Sequence, residues 1–406
     1  MRESAPRDRG VSRPYAIVIG LDSLQGLQTA RVLADRSIPV IGIVKNGGAH
    51  ARRTRVCKEI LVTDTGGKSL VDLLSDLGPE FPTMPVLYPC QDKNVILVSR
   101  HRDRLTPWYH IMLPPHDVVE TLMNKAAFAD HAQRAHLPIP PTFVLRNRED
   151  AETAASILTY PAVIKPAERL RLWSKHTRLK AFVVGNPSEL LAHYDRIHTW
   201  ANGLIAQELV QGGDTDHVTA NCYFDRRGEP VVMFTSRKLR QWPPITGQGS
   251  LSEEVRDPTI VKEAERLFRG VDYRGLGYLE MKRDERTGTY LIIEPNIGRP
   301  TGRSASAEAA GVELLYTMYC DALGWPLPRD REQTFTGVKW IHLVRDLQAS
   351  VYHWRRGDLT PAEWWKSLRG PKSYAIVSLR DPIPFLAAAT KTIWSILRAT
   401  GRNTGK

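Results

Sequence analysis

Short apolar runs alternating with amphipathic stretches open the chain. Tyr15 to Gly20 is apolar and ends on a glycine, which predicts a short buried strand. Gly20-Leu-Asp22-Ser-Leu-Gln25-Gly26 reads as a turn, Leu27 to Arg36 as a helix, and Pro39 to Val44 as a second strand. Strand, helix and strand in that order make a βαβ unit and a Rossmann-like start. Tyr88-Pro-Cys90-Gln91-Asp92 closes a further strand, and a helix is expected over Lys93 to Arg100. Asp92 then either caps that helix or is a loop acid within reach of a substrate. Met1 to Arg13 is polar and basic without an apolar segment, so it reads as a frayed tail rather than a signal peptide or an anchor.

Farther along, residues 276 to 283 and 289 to 294 are apolar and β-prone, with Asp284-Glu-Arg-Thr-Gly288 between them. A turn glycine between two such runs predicts an antiparallel hairpin. The last part of the chain changes character. Trp340, Trp354, Trp364 and Trp365 fall in a polar, basic stretch, and Gly357 to Trp365 reads as a turn followed by a capped helix with Pro361 in its first turn. Phe385, Leu386, Ala389, Ile393, Ile396 and Leu397 then recur at helical spacing, flanked by Lys391, Arg398 and Arg402. An amphipathic helix over 385 to 398 is too short to span a bilayer, which needs ~20 residues. Its apolar face suits a membrane surface, where the basic flank also gains, or packing on its own chain or a second subunit.

Composition narrows the class. A chain of 406 residues holds two to three domains at ~100 to 200 residues each. The net charge of +12 favours anionic partners such as a nucleotide, an acidic substrate or phospholipid. Nucleic acid is not expected, since neither zinc-finger spacing nor an aromatic RNA-binding signature is present. Cys57, Cys90, Cys222 and Cys320 are scattered without a CxxC pair, which fits reduced thiols in a cytoplasmic protein. The turn after the first strand has Asp22 where a dinucleotide fingerprint has its middle glycine, so dinucleotide binding is not expected.

The hairpin carries the candidate chemistry. Antiparallel pairing brings Glu280 and Glu294 together, and two adjacent carboxylates in a low-dielectric site repel unless a cation lies between them. Such hard oxygen ligands suit Mg²⁺ bridging phosphates, and Asn296 adds a neutral oxygen. The alternative is a surface hairpin whose acids pair with Lys282, Arg283 and Arg286. Upstream, Lys165 ends the apolar run Tyr160-Pro-Ala-Val-Ile, and a buried ammonium needs an anionic partner.

In their order along the chain these residues resemble the ATP-grasp superfamily, and within it the carboxylate-amine ligase branch related to D-aspartate ligase and biotin carboxylase. The resemblance runs over residues 14 to 328. It rests on Asn124-Lys125-Ala-Ala-Phe128 with Leu137-Pro-Ile-Pro-Pro-Thr142, on Lys165, on Leu204 to Gly213, and on Glu280, Glu294 and Asn296. It implies an α/β chain with a tail (1 to 13), a Rossmann-like domain (14 to 119) and an ATP-grasp domain of two α+β subdomains (120 to 328). A mainly helical C-terminal extension (329 to 406) follows. It implies ATP with Mg²⁺ or Mn²⁺, and Lys125 and Lys165 on the α- and β-phosphates, where a compact ammonium suits a point contact. Gln207, Glu208 and Val210 would line the adenine and ribose, and Glu280, Glu294 and Asn296 would hold the metal. The implied activity joins a small-molecule carboxylate to an amine through an acyl phosphate. A cytoplasmic protein, with peripheral membrane contact through 385 to 398 or a homodimer, completes the expectation.

Two departures from the family pattern matter. The loop after Lys165, Glu168 to Lys180, contains no glycine, so Ser174, Lys175 and Lys180 are expected to supply donors that backbone amides supply elsewhere. After Asn296 the chain reads Ile-Gly-Arg299 instead of Pro-Arg. Arg299 is the expected guanidinium for the transferred phosphoryl group, with Arg237 as a second candidate. A carboxylase or kinase on the same scaffold, and a catalytically silent ATP-binding or envelope-assembly protein, are the rival readings.

Overall fold

The computed structural model describes residues 13–168, 171–245 and 247–387. Ala16–Ile19 (β1), Val40–Val44 (β2), Glu59–Val62 (β3) and Val86–Pro89 (β4) form a parallel sheet in the order β3-β2-β1-β4. β1, β2 and β4 are buried throughout, as strands covered on both faces require. The first helix, Leu24–Asp35, begins three residues earlier than its apolar spacing indicates, because Ser23 caps it by accepting from the Gly26 amide at 3.0 Å. A Cβ at Gly26 would stand 2.3 Å from the Gly20 carbonyl oxygen, so glycine is what lets helix and turn meet. This is the expected βαβ start.

A four-stranded antiparallel sheet follows. Thr142–Leu145 (β5), Ala162–Pro166 (β6), Phe182–Val184 (β7) and Leu204–Glu208 (β8) lie in the order β5-β8-β6-β7. Alternation divides the two faces. Leu145, Ala162, Ile164, Leu204 and Ala206 pack on helices Arg148–Ile157 and Pro187–Ile197, leaving Thr142, Lys165, Ile205 and Gln207 on the face toward a cleft.

The third sheet is the largest. His217–Phe224 (β9), Pro230–Trp242 (β10), Gln248–Glu254 (β11), Gly275–Arg283 (β12), Tyr290–Ile297 (β13), Lys339–Ile341 (β14) and Lys372–Tyr374 (β15) take the order β13-β12-β9-β10-β11-β14-β15. All pairs are antiparallel except β14 with β15. Val218, Ala220, Cys222, Leu279 and Met281 share a core with Ile260, Ala264, Leu267 and Phe268 of helix Pro258–Arg269. The opposite face carries His217, Thr219, Asn221, Lys238 and Glu280. The architecture is thus the expected mixed α/β one, a Rossmann-like unit followed by two sheet-and-helix units.

The C-terminal extension holds helices Leu343–Arg356 and Pro361–Ser367 and also supplies β14 and β15 to the main sheet. Gly357, at φ 77°, ends the first helix, and a Thr360–Glu363 capping box opens the second, as the turn and proline predicted. Arg240 of β10 fixes the extension through a buried bidentate pair with Asp346, at 2.8 and 3.0 Å. Ser250 Oγ and the Trp364 indole N–H donate to the same carboxylate. Among the described residues no helix is long and apolar enough to cross a membrane. The amphipathic helix expected over 385 to 398 lies, from residue 388 on, outside the described residues. All four cysteines are free thiols.

Removing one partner of a buried ion pair leaves a charge without compensation. Asp346→Ala is therefore expected to destabilise the protein by about 3–5 kcal/mol in urea unfolding, because Arg240 stays buried.

Candidate active site

The hairpin β12–β13 sets Glu280 directly opposite Glu294, and Tyr278 opposite Asn296. The register then slips, Met281 facing Ile292, so Ile293 is an extra residue. Such a bulge re-aims side chains, and both Ile293 and Glu294 line the cleft. Lys282 and Arg286 of the hairpin do not claim Glu280 or Glu294. Lys282 donates to the carbonyls of Val210 and Gly212 at 2.9 and 2.7 Å, and Arg286 pairs with Asp284. The surface-hairpin alternative does not describe this site.

Glu280 is instead held from below. Lys238 Nζ lies 2.6 Å and His217 Nδ1 3.0 Å from Oε1, and the Tyr278 hydroxyl donates to Oε2 at 3.4 Å. Burial alone would raise this carboxyl; the Lys238 ammonium and the His217 bond outweigh it and hold Glu280 well below the usual carboxylate range. Burial and the neighbouring Lys238 push His217 down, so its imidazole is neutral at pH 7 and donates through Nδ1.

On the facing sheet Lys165 projects from β6 into the cleft. Its ammonium donates to Gln207 Oε1 at 2.9 Å, and the Gln207 amide donates to Thr142 Oγ1 at 2.7 Å. Burial, followed by repulsion from Lys125, lowers Lys165 to about 8, with Glu294 opposing in part. Lys125 also lines the cleft, in the first turn of helix Lys125–Arg134, where Asn124 caps the Ala126 and Ala127 amides at 3.0 and 3.1 Å. Phe128, Ile139, Ile205 and Ile293 form the apolar wall. Two ammonium groups and a carboxylate at the rim of an apolar slot suit a flat heterocycle with a polyphosphate tail.

Other expected residues stand elsewhere. Alternation along β8 turns Gln207 into the cleft and Glu208 away from its lining; the Glu208 carboxylate accepts from the Thr159 amide at 2.8 Å. Val210 is buried and contributes its carbonyl to Lys282. Lys180 is exposed and outside the cleft lining. The glycine-free loop contains a helix, Arg171–His176, because Trp173 buries itself against Phe182 and Trp200 at 5.8 and 6.0 Å and donates its indole N–H to Leu179.

Arg299 reaches the hairpin despite the added residue, donating to Asn296 Oδ1 at 2.5 Å and pairing with Asp92 of the first unit. Asp92 therefore does not cap its helix, whose N-cap is Gln91. Arg237 is not brought to the acids: it sits half-exposed on the other face of β10, bound to Glu253 at 2.7 Å. Its neighbour Lys238 takes the inward position. Lys238 and His217 escaped sequence reasoning because only the register of β9, β10 and β12 aims them at Glu280.

No family model matches the chain. It is 24% identical over 229 residues to D-aspartate ligase of Enterococcus faecium, covering 54% of each protein. It is 22% identical over 243 residues to the carbamoyl phosphate synthase large chain of Hyperthermus butylicus, covering 57% of this chain and 22% of that one. The match thus spans about half of the first relative's length. Among solved structures, the biotin carboxylase domain dimer of Hydrogenobacter thermophilus 2-oxoglutarate carboxylase, in complex with MgADP and bicarbonate, superposes with a TM-score of 0.63 at 15% identity. That alignment covers 79% of this chain and 72% of that one. N5-carboxyaminoimidazole synthetase from Staphylococcus aureus gives 0.60 at 14% identity, over 79% and 80%. At these identities the likeness defines the fold: an ATP-grasp fold of the biotin carboxylase kind.

Lys165 supplies a direct test. Replacing a half-buried ammonium that has an amide oxygen but no counter-ion by an apolar isostere relieves its desolvation. Lys165→Met is expected to raise the melting temperature by ~2–4 °C while abolishing calorimetric binding of a non-hydrolysable ATP analogue. A bound phosphate would favour the charged form, so analogue affinity is expected to fall as pH rises through about 8. Stability without nucleotide has the opposite slope. The folded pKa lies below the ordinary 10.5, so the unfolded chain binds more protons between those values and stability rises with pH across that window.

Proposed function

We propose that this chain is an ATP-dependent carboxylate-amine ligase. The observation that carries the reading is the convergence of Lys165, Lys125 and Glu294 on one apolar-walled cleft between two sheets, with Glu280 paired directly opposite Glu294. The similarity to D-aspartate ligase supports it.

Lys125 and Lys165 would meet the phosphate oxygens, and the apolar wall from Phe128 to Ile293 would hold the base. Glu280, Glu294 and Asn296 supply two carboxylates and an amide, a hard-oxygen set that fits Mg²⁺ or Mn²⁺. When bound, that ion neutralises phosphate charge. Arg299, already on Asn296, would meet the oxygens of the group in transit.

A substrate carboxylate oxygen attacks the γ-phosphorus in line, the bond to the β–γ bridging oxygen breaks, and ADP leaves. An amine then attacks the acyl carbon, phosphate departs with its bonding pair, and the ammonium proton goes to solvent or to the leaving phosphate. Positioning and charge stabilisation are the demands on the protein, and no nucleophilic side chain is needed.

Hydroxylamine serves as a general amine for testing this. With ATP, Mg²⁺ and a carboxylic acid, the wild type is expected to form a hydroxamate with ADP released in equal amount. Glu294→Ala should lower that rate at least ~100-fold. A phosphorylated product without hydroxamate would mark a kinase instead, and unchanged turnover in Glu294→Ala would remove the hairpin acids from the chemistry.

A further inference from the structure

Beyond Glu280, the polar face of the large sheet carries a second cluster that the phosphoryl chemistry does not use. Arg303 follows the hairpin and lays its guanidinium over the Tyr278 ring, 5.7 Å from the centroid. It also presses on β11, where a Cβ at Gly249 would stand 2.6 Å from Nη2. Its Nε and Nη2 are buried and meet no acceptor. The same pair of atoms in Arg237 and Arg240 takes the carboxylates of Glu253 and Asp346. Nε and Nη2 are the parallel prongs that receive a carboxylate bidentately.

Further unpartnered polar atoms lie on neighbouring strands of the sheet. Asn221 is 1% exposed; its Oδ1 accepts from Thr301 at 2.8 Å, which leaves Nδ2 without a partner. Ser252, 0% exposed, and Trp340, 3% exposed, face each other across β11 and β14, and neither Ser252 Oγ nor the Trp340 indole nitrogen has a partner. Trp340 also lies beside Gly302, next to Arg303, and Ser252 is the cross-strand neighbour of Lys238. Every one of these atoms is a hydrogen-bond donor or, for Ser252, able to act as one. Buried donors left unpaired are costly, and the guanidinium adds a positive charge to be matched.

We infer that Arg303, Asn221, Ser252 and Trp340 form a subsite for a second carboxylate of the acid substrate, so that the acid joined here is a dicarboxylate. The inference rests on the ligase reading. The reacting carboxylate belongs beside Asn296 and Arg299; Arg303 meets the other end, between the Tyr278 ring and β11 on the same sheet face. The positive balance of the chain agrees with a doubly anionic acid.

The test compares succinate, D-aspartate and L-aspartate with propionate in the hydroxylamine assay, alongside calorimetry with the Mg²⁺-ATP analogue. Dicarboxylates are expected to support hydroxamate formation, and propionate is not. Arg303→Lys should raise the half-saturating acid concentration at least about tenfold, and Trp340→Phe about threefold, with analogue affinity unchanged. Should Arg303→Lys fail to fold, Trp340→Phe decides, since it removes one donor and keeps a ring. Three results overturn the inference: propionate serving as well as succinate, loss of nucleotide affinity in Arg303→Lys, or nucleotide binding with no dicarboxylate used. A wild type that binds no nucleotide overturns the ligase reading itself.

Discussion

Strand register in the large sheet is the constraint on which the site depends. Side chains alternate across a sheet, so a slip of one residue between β9 and β12 would turn Glu280 into the hydrophobic core and Met281 onto the polar face. The register is held from the apolar side, where Val218, Ala220, Cys222, Leu279 and Met281 meet helix Pro258–Arg269. Packing on one face thereby fixes chemistry on the other. The bulge at Ile293 breaks that order between β12 and β13, and it lets the consecutive residues Ile293 and Glu294 both line the cleft.

Charge is distributed unevenly around that frame. Glu280 is matched by Lys238 and hydrogen-bonded by His217, while Lys165 has only an amide oxygen and Arg303 has neither carboxylate nor carbonyl at two of its nitrogens. Folding leaves these cations short of partners, at a cost that phosphate or carboxylate oxygens would offset on binding. Affinity for anions is in this sense prepaid in the fold.

Much of this was legible in the sequence, for local reasons. The hairpin showed in two β-prone runs about a turn glycine, the first unit in its strand, turn and helix pattern, and Lys165 in an ammonium that ends an apolar strand. What stayed hidden depended on partners distant in sequence. The run Arg237-Lys238 offers two cations on opposite faces, and pairing with β9 and β11 selects Lys238 for the acids and Arg237 for Glu253. Asp92 looked like a cap because Arg299 lies 207 residues away. The basic loop hid a helix because Trp173 needs Phe182 and Trp200 to bury against. Strands β14 and β15 are three residues each, too short to show periodicity.

The joining of β14 to β11 has a consequence for how such a chain can be recombined. Residues beyond 328 look like an appendix by composition, yet β14 covers the edge of the sheet that carries Lys238, and Arg240 is tied to Asp346 in the helix that follows it. A graft of this ATP-grasp unit onto another protein, cut before β14, would leave β11 with an open row of backbone donors and acceptors, the kind of edge along which chains polymerise. The unit of inheritance in this fold is therefore the closed sheet with its last strands, and shuffling at the apparent boundary would yield filaments or aggregates in place of a smaller enzyme.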